Sequence, residues 1–120
     1  MSLPMPARVP QPGFYRHYKH DPQGPLGNYC YEVMSVGFHT EDDARPGEEH
    51  FVNYRPLYES SVYLAAQALG VPCVDTRPLE MWMGEVEIGG ILRPRYVRVT
   101  DPLEIAPLRL RRDRLYPSAA

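Results

Sequence analysis

Proline is the residue type that most constrains how this chain can fold. The 120 residues include 14 prolines, which gather near both ends and between the apolar stretches. Proline fixes φ and lacks a backbone N–H, so it interrupts helices and central strands. The sequence therefore predicts short strands joined by turns. We expect residues 1–12, which carry four of the prolines, to form a flexible arm.

Composition restricts the class of protein further. The length fits one domain, and a hydrophobic content of 43% is enough for a single modest core. No stretch approaches the roughly 20 apolar residues of a spanning helix, and the proline-rich start differs from a secretory signal. We therefore expect a cytoplasmic protein without a membrane partner. Cys30 and Cys73 lack zinc-site spacing, so no metal or cofactor is expected. Each cysteine is interpreted as a small buried hydrophobic residue, and a bond between the two is the alternative.

Strand patterns occupy much of the chain. Residues 14–19, 29–39 and 51–57 alternate in character and are rich in aromatic or β-branched residues. Turn-forming pairs fill residues 20–28, and a charged loop is predicted for residues 40–49. Later, Glu85 to Ile88 and Ile91 to Val99 flank a Gly-Gly pair, which favours a tight β-hairpin.

A helix is predicted where the strand pattern stops, at residues 60–69. Ser60 or Ser61 can cap its start, apolar residues recur at helical spacing, and Gly70 can supply a left-handed cap at its end. Residues 71–74 and 79–83 are short strand candidates on either side of an Arg77-Pro78 bend, with Trp82 expected in the core.

The C-terminal part has two predicted segments. Residues 102–110 are expected to be extended and to add an edge strand. Residues 109–120 are interpreted as an arginine-rich tail, since four arginines and one aspartate give a formal charge of +3. Such a cluster suits either solvent or an acidic partner.

Short strands, one hairpin and one inserted helix together favour a mainly β domain over residues 13–108. A small half-open SH3-like β-barrel is the expected architecture, because strands of this length close around one compact core. An OB-like barrel is the alternative, since that fold also accommodates a helix between strands.

A series of motifs resembles the bacterial domain-of-unknown-function family numbered 1653. The motifs, in chain order, are Tyr15 to Lys19 (Tyr-Arg-His-Tyr-Lys), Tyr31 with Val33, His39-Thr40-Glu41, Val52 with Tyr54, Leu57-Tyr58, and Arg77 to Trp82 (Arg-Pro-Leu-Glu-Met-Trp). Val86, Pro94 and Arg95 continue the pattern. The resemblance covers residues 13–96 and implies a compact SH3-like barrel, but it implies no activity.

The chain departs from that family pattern at three places. The turn after Lys19 is lengthened by residues 22–28, and the loop after Glu41 is stretched by residues 44–48. Between Tyr58 and Arg77 the family has a short tip, often with Trp-Val, whereas this chain inserts the predicted helix. If the missing tryptophan lines a ligand groove in the family, the insertion alters or covers that groove here.

Aromatic and basic residues provide the candidate site. On a strand, Tyr15, His17 and Lys19 share one face, with Arg16 and Tyr18 on the other. The first face could stack a planar group and hold an anion, or its rings could simply close the core. Pro78 holds Arg77 in extended geometry, where its guanidinium could bind an anion or pair internally with a glutamate. The candidate ligand-binding residues are Tyr15, His17, Lys19, Tyr54, Tyr58 and Arg77.

Three function classes remain open. The preferred one is a non-catalytic binding module for a nucleotide, a nucleic acid or a peptide, with no catalytic residue assigned. The second is a structural or protein-interaction domain that forms a homodimer or binds a partner through the inserted helix or a sheet edge. The third is a small enzyme using His17 or His39, which would require the two histidines, or a histidine and a carboxylate, to meet in space.

Overall fold

Seven strands and three helical segments form the part of the chain described by the structure, a computed structural model that covers residues 5–117. The strands are β1 (Gly13–His17), β2 (Cys30–Phe38), β3 (His50–Pro56), β4 (Asp75–Pro78), β5 (Glu85–Ile88), β6 (Ile91–Pro94) and β7 (Tyr96–Arg98). The helical segments are α1 (Ser61–Leu69), the single turn α2 (Leu79–Trp82) and α3 (Pro102–Leu115).

Five of the strands form one antiparallel sheet in the order β4-β3-β2-β1-β7, and β5 and β6 form a separate hairpin. The prediction of a mainly β domain is confirmed. Within residues 5–117 the sheet does not close into a barrel, because its outer strands β4 and β7 do not pair with each other. Both are short, and α2 follows β4 directly, so the chain leaves the sheet at that edge.

Both faces of the sheet carry an apolar core, as the alternation along β2 requires. Tyr31 and Val33 belong to the first core, whereas Cys30 belongs to the second. The first core consists of Tyr15, Tyr31, Val33, Val52, Tyr54, Leu79, Trp82 and Tyr96. The second consists of Phe14, Cys30, Leu57, Val99 and Leu108. The first is therefore largely aromatic, and the second receives helix α3.

Helix α3 corrects the expectation of an extended segment at residues 102–110. The Asp101 side chain accepts a hydrogen bond from the Leu103 N–H at 2.9 Å, and Pro102 stands at the first helical position, where no N–H is needed. Leu108 is fully buried against the sheet. The helix continues to Leu115, so all four arginines that were assigned to a tail lie within it.

A network of ion pairs joins α3 to the sheet. Glu32 on β2 is 9% exposed and accepts from Arg55 on β3 at 2.9 Å and from Arg112 on α3 at 2.7 Å. The guanidinium of Arg55 also lies over the Tyr116 ring, 4.2 Å from its centroid. Pairing one carboxylate with two guanidinium groups offsets the cost of removing it from water.

The predicted helix and hairpin are both present. Ser60 caps α1 by accepting from the Tyr63 N–H at 3.2 Å, and Gly70 ends it in the left-handed conformation with φ of 70°. The predicted strands flanking Arg77 are wrong, however. Residues 75–78 form the strand, and Leu79 to Trp82 form a helical turn that buries Leu79 and Trp82, three residues apart, in the first core.

The cysteines and the chain ends complete the description. Cys30 is buried as expected, Cys73 is only partly buried, and both are free. Residues 5–12 of the predicted arm contain no helix or strand, whereas its residues 1–4 and residues 118–120 of the predicted tail lie outside the described residues. No helix in the described part of the chain combines the length and apolar character needed to cross a bilayer.

Candidate functional site

Trp82 organises the aromatic core on the first face of the sheet. Its ring stacks on Tyr96 with centroids 3.6 Å apart and planes 6° apart. Tyr54 and Tyr15 contact the same indole at centroid distances of 4.8 Å and 5.8 Å. The turn α2 places Trp82 here, so strands β1, β3 and β7 are joined through one side chain.

Tyr31 lies at the centre of a second group of rings. Tyr54, Tyr58 and Tyr96 surround it at centroid distances of 5.4, 5.9 and 5.9 Å, and its hydroxyl is 3.0 Å from the Tyr58 hydroxyl. Burial raises the pKa of both Tyr31 and Tyr96. These phenols therefore stay protonated at neutral pH and present O–H donors.

Arg77 extends from β4 towards these hydroxyl groups. Burial lowers its pKa, but the hydrogen bond with Tyr54 and the nearby phenols of Tyr96, Tyr54 and Tyr31 reverse the effect, so the net pKa is raised. Its Nη1 also lies 3.2 Å from the Met81 sulfur. The guanidinium is thus a permanent positive charge placed among neutral oxygen atoms.

The internal ion pair considered for Arg77 is not formed among the described residues. Glu32, one of the candidate partners, pairs with Arg55 and Arg112 instead. Asp75 is near enough for Arg77 to lower its pKa, but burial dominates and the net pKa of Asp75 is raised. No carboxylate within residues 5–117 therefore neutralises the positive charge of Arg77 by direct contact.

His17, at the end of β1, lies opposite Tyr96 and contacts its ring at a centroid distance of 5.0 Å. Burial, followed by the positive charges of Arg95, Lys19 and Arg77, lowers its pKa to about 4. The ring is thus neutral at pH 7. The Lys19 backbone N–H donates to its Nδ1 at 3.2 Å, which leaves the proton on Nε2.

Together these groups form what we call the tyrosine–arginine cluster, defined as Tyr31, Tyr54, Tyr58, Tyr96, His17 and Arg77, with Lys19 and Arg95 at its edge. Arg95 lies between β6 and β7, and its Nε is buried with no hydrogen-bond partner among the described residues. The cluster combines phenol O–H groups, one imidazole N–H and three permanent or near-permanent cations. Such a set of donors suits an anion.

The structure brings four of the six candidate residues together: His17, Tyr54, Tyr58 and Arg77. Lys19 lies at the edge of this group and is exposed, although its charge acts on His17. Tyr15 does not belong to this group, because its ring is buried in the core and its hydroxyl donates to the Gln11 carbonyl at 2.8 Å. Tyr18, which could have been buried under Arg16, is instead 37% exposed.

Tyr31, Tyr96 and Arg95 belong to the cluster but are not among the six residues predicted from the sequence. The pairing of His17 with Tyr96 joins residues far apart in the chain, so no local pattern indicates it. The alternation of Tyr31 with Val33 was visible, but it is equally typical of a core strand.

The two histidines considered for catalysis do not meet. The His17 N–H donates to the carbonyl of Tyr29, which directly precedes β2, whereas His39 directly follows the last residue of β2. The nine residues of that strand span about 30 Å. Among the described residues, no group of three or more histidine, cysteine or carboxylate side chains is arranged to hold a metal ion.

A groove of about 370 Å³ opens next to the cluster. Tyr58, a cluster member, lines it, and Tyr29 lines it as well while its ring stacks on His17 with centroids 5.7 Å apart. The remaining lining residues are Pro25, Leu26, Asn28 and Arg111. The lengthened turn at residues 22–28 therefore contributes much of the groove wall.

Comparison with known proteins places the chain in a family. The family model for proteins of unknown function numbered DUF1653 matches residues 13–98, which is more than half of the chain. The protein belongs to the DUF1653 family. A crystal structure of a DUF1653 protein from Bordetella bronchiseptica is 29% identical, with a TM-score of 0.49, over 74% of this chain and 86% of that one. No curated protein matches the chain.

The DUF1653 motifs quoted from the sequence contribute most of the cluster. The first motif supplies His17 and Lys19, and the last supplies Arg77 together with the stacked Trp82. The intervening motifs supply Tyr31, Tyr54 and Tyr58. Segments widely separated in this DUF1653 chain thus converge at one place in the fold, on the first face of the sheet.

Proposed function

We propose that this DUF1653 protein is a non-catalytic binding module whose tyrosine–arginine cluster binds the anionic group of a small ligand, with phosphate as the best match. One observation carries the proposal. The Arg77 guanidinium lies among the hydroxyl groups of Tyr54, Tyr96 and Tyr31 without an ion-pair partner among the described residues.

The environment of Arg77 supports an anion there. A guanidinium presents its donors in a planar fork that matches two oxygens of a phosphate or carboxylate. Partial burial strengthens such a contact relative to water. The additional charges of Lys19 and Arg95 favour an anion over a neutral ligand, and the neutral His17 ring adds an N–H donor.

Binding is favoured over catalysis by the state of His17. A general base for neutral pH needs a pKa close to 7, whereas this ring has a pKa of about 4. Its Nδ1 already accepts the Lys19 backbone N–H. The imidazole is therefore better suited to donating a hydrogen bond than to removing a proton.

The proposal is tested by titrating the protein with inorganic phosphate in a calorimeter. The double variant Lys19→Ala, Arg77→Gln should bind phosphate at least about tenfold more weakly, because charge-assisted hydrogen bonds each contribute roughly 1.5–3 kcal/mol. Arg109→Gln is the matched control, since Arg109 is an exposed arginine of α3 outside the cluster, and it should leave the affinity unchanged.

Two results would contradict the proposal. One is a wild-type protein that does not bind phosphate at millimolar concentration. The other is a double variant that retains wild-type affinity while its circular dichroism and melting temperature confirm that it is folded.

A further inference from the structure

We propose that the groove between Tyr29 and Tyr58 binds the base of a nucleoside monophosphate whose phosphate lies at the tyrosine–arginine cluster. The ligand class is then a mononucleotide. This inference rests on the function proposed above, because the cluster supplies the phosphate site, but apart from Tyr58 it concerns other side chains.

Both aromatic walls of the groove contact the cluster. Tyr58 lines the groove, and its hydroxyl is 3.0 Å from that of Tyr31. Tyr29 lines the groove, and its ring is stacked on His17. The aromatic walls of the groove are therefore in direct contact with two members of the cluster, Tyr31 and His17.

Tyr29 has an unusual backbone. Its φ is 50°, the left-handed region that glycine and asparagine enter far more readily than a bulky residue. The His17 N–H donates to the Tyr29 carbonyl at 2.9 Å, which fixes this conformation. Stacking on His17 holds the ring in place before any ligand arrives, although 42% of the residue is exposed. A preformed, exposed ring suits stacking, because little rotational freedom is lost on binding.

The polar groups of the groove fit the edge of a base. Arg111 donates its Nε to the Leu57 carbonyl and makes no other hydrogen bond or ion pair among the described residues, so its terminal N–H groups can donate to a ligand. The Asn28 side chain is already engaged, donating to the carbonyls of Asp21 and Pro25 and accepting from the Asp21 N–H. Nucleobases offer ring nitrogen or exocyclic oxygen acceptors to such a donor.

The size of the groove agrees with this assignment. Its volume of about 370 Å³ lies in the lower part of the range of about 300–1,000 Å³ typical of small-molecule pockets. Apolar contact comes from Pro25 and Leu26, and stacking area comes from the two tyrosines. Stacking of a base on an aromatic side chain tolerates every base, so no single base is specified.

The test compares inorganic phosphate, the four common nucleoside monophosphates, the matching nucleosides and short single-stranded oligonucleotides by calorimetry on the full chain. At least one monophosphate should bind about tenfold more tightly than phosphate, the gain expected from one stacked base. Tyr29→Gly should abolish this gain and leave phosphate affinity intact. This variant also relieves the positive φ, so it should fold. Tyr29→Phe should retain the gain, and Tyr18→Ala is the control, since Tyr18 also packs on His17 but does not line the groove.

The outcomes separate the two proposals. If phosphate binds but no monophosphate binds more tightly, the groove assignment is wrong and the function of the cluster stands. If nucleosides bind in a Tyr29-dependent manner and phosphate does not, the cluster proposal fails and the groove remains a base site. Binding of short single-stranded oligonucleotides without binding of monophosphates would overturn the mononucleotide class in favour of nucleic acid, and no binding at all would overturn both proposals.

Discussion

Trp82 and Tyr96 stack face to face, with ring centroids 3.6 Å apart and an angle of 6° between the planes. The contact joins α2, which follows the outer strand β4, to β7 at the opposite edge of the sheet. It also positions the Tyr96 ring, whose hydroxyl interacts with Tyr54 and Arg77. The same pair of rings therefore stabilises the fold and positions the candidate site.

Removing the indole should strongly destabilise the protein. Trp82 is 2% exposed and contacts three tyrosines, so Trp82→Ala should lower the free energy of unfolding by about 3–5 kcal/mol. Trp82→Phe, which keeps a ring, should cost less. Urea denaturation followed by circular dichroism measures both, with Leu103→Ala, at an 84% exposed position, as a control that should change stability by at most about 0.5 kcal/mol. Equal effects of Trp82→Ala and Leu103→Ala would contradict the central packing role of the indole.

The ion pairs of Glu32 should contribute more to stability than the more exposed ion pair between Arg16 and Glu104. In Glu32→Gln the guanidinium groups of Arg55 and Arg112 lose their shared carboxylate, so a loss of about 2 kcal/mol is expected, between the values typical of exposed and fully buried pairs. The matched control is Glu104→Gln, which removes the more exposed pair with Arg16 and should cost less than about 1 kcal/mol. Chemical denaturation at low salt checks the order, and a larger loss in Glu104→Gln would refute it.

Gly27 should not tolerate a side chain. A Cβ at this position would lie 2.3 Å from the Leu57 carbonyl oxygen and 2.7 Å from the Arg111 Nε, and φ is 89°. Gly27→Ala should therefore cost at least about 2 kcal/mol, since strain at such a φ alone costs of order 1–3 kcal/mol. Gly70→Ala provides the comparison, because its φ of 70° is also positive but its Cβ would meet no atom of the described residues within 4 Å. Melting temperatures should fall more for Gly27→Ala, and the reverse order would show that the close approach is relieved at little cost.

The neutral state of His17 should make stability depend on pH. The unfolded chain binds a proton at the ordinary histidine pKa of about 6.5, whereas folded His17 does so only near pH 4. Between these values the unfolded state holds more protons, so the contribution of His17 is present above pH 6.5 and is lost as the pH falls towards 4. His17→Gln should flatten the stability profile across this window. NMR measures the pKa of His17 in the folded protein directly. A value near 6.5 would contradict the effect.

A bound anion should raise the pKa of His17. Burial is the largest cause of its low pKa, and the charges of Arg95, Lys19 and Arg77 lower it further, so an anion among these cations offsets their part of the effect. Sulfate is the suitable probe, because it keeps its charge over the relevant pH range. NMR titration should show the His17 pKa above 4 in saturating sulfate, and sulfate affinity should increase on acidification from pH 6 towards 4. An unchanged pKa in saturating sulfate would place the ion away from His17.

Short sequence patterns predicted the helix and the hairpin, whose ends or turns require a few specific residues. The Ser60 cap and Gly70 define α1, and Gly89-Gly90 defines the β5–β6 hairpin, because caps and tight turns require specific residue types. Helix α3 was missed because its prolines were read as interruptions. Asp101 and Pro102 in fact have the types favoured at a helix start, and the buried Leu108 fixes the helix against the sheet.

The candidate site was only partly predictable. The chemistry of His17 and Arg77 was evident from their residue types and aromatic neighbours. Their proximity results from strand pairings across the sheet and from the packing of Trp82 between the outer strands. These contacts join residues far apart in the chain, so no short sequence pattern indicates them. Tyr15 shows the converse, since a residue chosen for its chemistry is occupied in holding the core together.

Trp82 is also the one tryptophan in the sequence. Its indole is almost inaccessible to water, and three tyrosines lie within 6 Å of it between ring centroids. The native protein therefore has an intrinsic fluorescent probe, because energy absorbed by the tyrosines is transferred to a single emitter, the indole. Because Tyr96 joins that emitter to Arg77, the intensity of the emission should report both unfolding and the arrival of a ligand, without any dye attached to the chain.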